Sequence, residues 1–110
     1  MYAQLNYFDG PRSAELVAAS EFGGRERIWP AILADPVTRE GHVATYVLRQ
    51  DDGSEIAVVI VESLAALERG REVIMNTALL PGEDPALLPG PDRMEVFEVV
   101  ASMVGQEVTR

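Results

Sequence analysis

His42 is the only histidine in the chain, and it heads a run of residues that reads as a strand. A neutral imidazole titrates near neutral pH, so it can take a proton from an acidic phenol or enol. Counted along an extended strand, His42 and Tyr46 share one face with Ala44 between them. The Tyr46 hydroxyl could then hydrogen-bond a substrate oxygen. Asn6 and Gln4 form a polar pair on one face of another apolar stretch, where their amides could orient a ligand. Trp29, the lone tryptophan, offers a wall for a flat molecule. His42, Asn6 and Tyr46 are thus the candidate catalytic set, and Trp29 and Gln4 the candidate ligand contacts. A pocket between sheet and helices, with Asn6 and Tyr46 in it and Trp29 near its wall, is where they would meet. Each residue also has a plainer use. His42 suits a surface position at a strand start, Tyr46 a rim with its ring packed, and Trp29 a core. The two amides suit structural hydrogen bonds.

Other chemistries are excluded by composition. One histidine and no cysteine leave no multi-histidine or thiolate metal centre, no cysteine nucleophile and no disulfide. No G-x-S-x-G elbow surrounds Ser13, Ser20, Ser54, Ser63 or Ser102. No phosphate-binding loop or dinucleotide fingerprint is present, and the acidic stretch 51–55 is too short for a calcium loop. No metal, haem or flavin is therefore expected. The formal net charge of −9 repels phosphate backbones and anionic membranes, so neither nucleic acid nor membrane is an expected partner. The longest uninterrupted apolar run, 56–61, is far short of the roughly 20 residues that span a bilayer. The first residues, MYAQLNYF, carry no basic region and do not read as a signal peptide. A cysteine-free chain suits a reducing cytoplasm.

At 110 residues the chain reads as one domain, 1–110. Residues 2–8 alternate as a strand. Asp9-Gly10-Pro11 is a turn, and Ser13 can cap a helix. That helix carries Leu16, Val17, Ile28, Ile32 and Leu33. Gly23-Gly24 weakens its middle, Pro30 should kink or restart it, and Asp35-Pro36 should end it. Residues 41–63 read as two strands joined by a two-residue turn at Asp52-Gly53, because Asp-Gly supplies the positive φ angles of such a turn. Ser63 can cap a second helix with Leu64, Leu67, the Arg71 stem, Ile74 and Ala78 on its apolar face. Residues 81–93 hold four prolines and two glycines and form a loop long for a small domain. Residues 94–100 are the last strand, and 105–110 a loose tail. The order β-α-β-β-α-β is the α+β ferredoxin-like arrangement: a four-stranded antiparallel sheet with two helices on one face. The other sheet face would be too apolar to face water, and a second copy placed sheet toward sheet would cover it.

With its elements in this order, the chain resembles the antibiotic-biosynthesis-monooxygenase-like proteins of the dimeric α+β barrel superfamily. The residues that carry the resemblance are the opening YAQLNYF, IWPAIL at the end of the first helical region, GHVATYVLRQ, the DG turn, and IVESLAAL at the strand-to-helix junction. The resemblance implies a homodimer with a pocket between sheet and helices in each subunit. For activity it implies a cofactor-independent monooxygenase acting on an aromatic or polyketide-like small molecule. His42 would then be the base, with Asn6 and Tyr46 orienting the substrate anion. The chain departs from the family pattern in places. Val61 stands for the junction tryptophan, Ala57 for the oxygenase asparagine four residues earlier, and Gly41-His42 for the usual Gly-Phe. Asn6 matches the first-strand asparagine of haem-degrading members, but 64–80 holds neither their histidine ligand nor their tryptophan. The alternative is a non-catalytic dimeric module that binds a small apolar ligand or a protein partner.

Overall fold

The computed structural model describes residues 1–105. The chain folds as an α+β domain around one four-stranded antiparallel sheet. The strands are β1 (Tyr2–Phe8), β2 (His42–Arg49), β3 (Glu55–Val61) and β4 (Arg93–Glu98), in the spatial order β2-β3-β1-β4. That order is compatible with a ferredoxin-like arrangement. The apolar, β-branched β3 pairs on both sides, with β1 and β2, as its two-sided pattern requires. Helix α1 (Ala14–Gly23) starts where the Ser13 hydroxyl accepts the Leu16 N–H. Helix α4 (Leu64–Met75) starts in the same way, Ser63 accepting from Ala66.

Between α1 and β2 the helical region is divided where the sequence weakens it. At Gly23 and Gly24 the regular helix gives way to a π-helical turn, Gly24–Ile28, followed by α2 (Trp29–Ala34). In this wider turn the Trp29 N–H reaches the Gly24 carbonyl. Pro30, which has no N–H to offer, sits in the first turn of α2, where the helix restarts as the sequence predicts. Asp35-Pro36 ends α2 as expected, but the chain does not leave the helical region there. A further helix, α3 (Pro36–Gly41), opens there with Asp35 as its cap, accepting the Thr38 N–H at 3.1 Å.

Arg69 of α4 also donates to the Asp35 carboxylate, at 2.7 and 3.2 Å. Those bonds, with the Thr38 N–H, hold the Asp35 carboxyl below its ordinary value. A depressed carboxyl contributes stability above the ordinary Asp range, and loses it as pH falls through the lowered value. Asp35→Ala should therefore lower the melting temperature at pH 7, and the gap to wild type should close toward pH 2. Melts over that range check it; a gap constant with pH would detach the effect from the ionised cap.

The apolar stripe of α4 is also re-phased. Leu64 is 51% exposed and Arg71 is exposed, whereas Ala66 is buried and Leu67, Val73 and Ile74 half-buried. Small residues decide this. A Cβ on Gly41 would overlap Ala66, and one on Gly70 would just touch Ile32 and Thr38, at 3.7 and 3.9 Å, so the helix approaches on its smallest side chains. Ala78 lies beyond the helix end. Strand β4 ends at Glu98, two residues early, although the Val99 N–H still reaches the Met1 carbonyl. The tail expected at 105–110 lies, apart from Gly105, outside the described residues.

The hairpin turn has three residues, not two. Gln50 and Ser54 close it, the Gly53 N–H reaches the Gln50 carbonyl, and Gly53 alone has positive φ, at +86°. This is a type I turn followed by a left-handed glycine. Asp52 keeps negative φ, and its carboxylate accepts the Ser54 N–H and hydroxyl.

Candidate functional site

The two faces of the sheet follow from the strand register. One face carries Gln4, Asn6 and Phe8 of β1 beside Glu55, Ala57, Val59 and Val61 of β3. It holds the buried Glu55 and Val61 and is tied to α1 by the Arg49–Glu21 ion pair at 2.6 Å. The opposite face carries Ala3, Leu5, Ile56, Val58, Ile60, Ala44, Tyr46, Leu48 and Phe97.

The candidate catalytic set does not assemble. His42 pairs with Val61 but Ala44 pairs with Ile60, so Val43 is the extra residue of a β-bulge. The bulge reverses the parity before it. His42 turns to the helix-side face, where its Nε2 lies 2.7 Å from the Thr45 hydroxyl. Tyr46, opposite Val58, stays on the other face and is 57% exposed. The expectation that His42 and Tyr46 share a face is thus corrected. Asn6 is on the His42 side, but two strands away and four residues along. That is about 16 Å by strand spacing and rise. Its amide N–H₂ donates to the Ala57 carbonyl at 3.2 Å, and the Gln4 amide reaches the Met94 sulfur at 3.7 Å. Trp29 opens α2 with 46% of its surface exposed, which rules out the core position. With Asn6 and Tyr46 on opposite faces, one cavity cannot hold both.

The polar constellations that do form join residues far apart in the chain. Arg12 and Glu55, each with a side chain 6% exposed, pair at 3.4 Å. Arg12 also donates to the Gly53 carbonyl and the Ser20 hydroxyl, and stacks 5.1 Å over the Phe8 ring. Arg49 bridges Glu55 and Glu21. A cleft of about 390 Å³ opens beside this group, between α1 and the hairpin turn, but its arginines are already engaged by carboxylates. A second cleft, of about 260 Å³, lies between α1 and the loop 81–93. Neither is lined by His42, Asn6, Tyr46 or Trp29. Among the described residues no cluster of three or more His, Cys, Asp or Glu side chains could hold a metal ion, and no helix is long and apolar enough to cross a membrane.

The open sheet face is the feature with the clearest capacity for interaction. Tyr46, Leu48 and Phe97 are each at least half exposed on it. Its charged groups are Arg93 and Glu95 on the β4 edge, both gathered around Tyr7. Arg93 lies 4.0 Å from the Tyr7 ring, and a hydrogen bond with the Glu95 carboxylate holds the phenol above its ordinary pKa. On a chain of net charge −9 this face is neutral. Compared with known proteins, the chain matches no protein-family model and no curated protein.

Proposed function

We propose that the protein is a non-catalytic dimeric module of the dimeric α+β barrel type, two copies packing sheet toward sheet. The observation that carries this reading is the open face together with the surface it leaves. A compact 12.0 kDa monomer exposes about 6,000 Å². This chain exposes 7635 Å². Part of the excess belongs to exposed residues after β4, Val100, Met103 and Val104 among them, and part to the apolar sheet face. A standard interface buries about 800 Å² per partner, about half of that excess, so the sheet face leaves room for one. Neutrality of the face matters too, because two copies of net charge −9 repel each other wherever their charges meet. The order of the strands and the resemblance to the antibiotic-biosynthesis-monooxygenase-like proteins support the same assembly.

The oxygenase reading draws on that resemblance alone. It needs His42, Asn6 and Tyr46 to act on one substrate, and the bulge at Val43 turns His42 away from Tyr46. The module reading needs no cofactor and no convergence of those groups. Two measurements test it. Light scattering at micromolar concentration should give a dimer, and Val58→Asp, at the centre of the open face, should give a folded monomer. A monomeric wild type would overturn the proposal. Oxygen consumption with phenolic and enolisable aromatic substrates should stay at the buffer rate. Turnover that His42→Ala abolishes would restore the oxygenase.

A further inference from the structure

We propose that residues 81–91 form a strap latched shut by the Arg27–Glu83 ion pair, which opens over the groove along α1 while the sheet stays folded. This goes beyond the dimer and does not depend on it.

The strap is held to the body by very little. The backbone hydrogen bonds described for it are local: Glu83 to Leu80, Leu87 to Asp84 and Leu88 to Pro85. Asp92 returns the chain to the sheet through the Tyr7 carbonyl at 2.7 Å. Between those ends, attachment comes from two sources. Leu87 and Leu88, half-buried, line the groove with Ala18, Ala19 and Phe22. The Arg27 guanidinium meets the Glu83 carboxylate at 2.8 Å, with the two side chains 12% and 2% exposed. Segments with few apolar contacts and no backbone bonds to the body open well below the global unfolding free energy.

The latch is built and yet incomplete. The π-helical turn aims Arg27 at the strap, and the guanidinium also donates to the Thr77 hydroxyl at 2.7 Å, anchoring it to the end of α4. Glu83 Oε1 accepts from Arg27 and from the Leu80 N–H. Its other oxygen, Oε2, is buried without a partner, the one such side-chain atom among the described residues. It lies where a Cβ on Gly23 would come within 3.1 Å. A buried, unpaired carboxylate oxygen opposes closure, and opening returns it to water. The ion pair and the leucines favour closure. The closed state is therefore favoured, but by less than the ion pair and the leucines alone would give. The glycines flanking the strap permit the movement: Gly82, at φ +90°, and Gly90 have no heavy atom within 4 Å of a Cβ position.

Thermolysin, which cuts before large apolar residues, reads the opening at Leu87 and Leu88. In wild type, cleavage there should proceed at denaturant concentrations too low to unfold the sheet, with a weak dependence on denaturant. Glu83→Ala and Arg27→Ala should each raise the rate about tenfold, and the double variant should be no faster than either, because both remove one latch. The global unfolding midpoint should move much less than the cleavage rate. Wild-type cleavage that follows global unfolding would overturn the proposal without any variant. So would unchanged rates in both single variants, or multiplicative effects in the double.

Discussion

Glu55→Ala should lower the stability of the fold by about 3–5 kcal/mol, the usual cost of leaving one member of a buried ion pair alone. Glu55 sits at the start of β3 and is 7% exposed. Its carboxylate neutralises Arg12, whose side chain is as buried as its own, and accepts a bond from Arg49 at 2.6 Å. Removing it leaves the Arg12 guanidinium with only neutral acceptors, the Gly53 carbonyl and the Ser20 hydroxyl. Arg49 suffers less, because it is 36% exposed and keeps Glu21. A domain of this size has about 5–15 kcal/mol in total, so the loss is a large fraction of it. Urea unfolding measures it directly. The double change Arg12→Met/Glu55→Leu should recover much of the loss, since apolar residues of similar volume often replace a buried pair without cost. A Glu55→Ala midpoint equal to wild type would mean that Arg12 is hydrated in solution and the pair is a surface one.

That network could not be read from the chain, and the reason is general to this fold. Arg12 and Glu55 are brought together by two turns, each unremarkable in sequence, whose backbones bond through the Arg12 N–H and the Asp52 carbonyl at 2.8 Å. Local patterns were legible. Period-two alternation marked β1 over its full span, and the apolar β-branched run marked β3. Ser13 and Ser63 announced their helices because a capping hydroxyl acts within one turn. Asp35-Pro36 carried an equally local signal, a cap followed by proline at the first helical position, so α3 was there to be found. The bulge at Val43 was not. HVATYV alternates smoothly in sequence, and nothing in it marks Val43 as the unpaired residue. That single residue separates His42 from Tyr46, while Asn6 and Tyr46 stand on opposite faces by register alone.

Gly53→Val should destabilise the fold by about 2–5 kcal/mol, and Gly82→Val by much less, although both glycines have positive φ. Two costs must be separated. A β-branched residue in the left-handed region is strained by roughly 1–2 kcal/mol wherever it stands. At Gly82 that is the whole cost, because nothing lies within 4 Å of a Cβ. At Gly53 the Cβ would also overlap the Arg12 carbonyl oxygen and lie 3.1 Å from the Arg12 carbonyl carbon and Cβ. Backbone cannot rotate away as a side-chain tip can, so the hairpin and the segment leading into α1 must move apart. That movement strains the Arg12–Asp52 backbone bond and disturbs the approach of Arg12 to Glu55 as well. The glycine is thus required twice, by the turn and by the segment that crosses it. Denaturant midpoints of the two valine variants, with Gly53→Ala as an intermediate, decide the matter. Equal losses at 53 and 82 would show that conformational strain alone acts, and that Arg12 does not press on the turn.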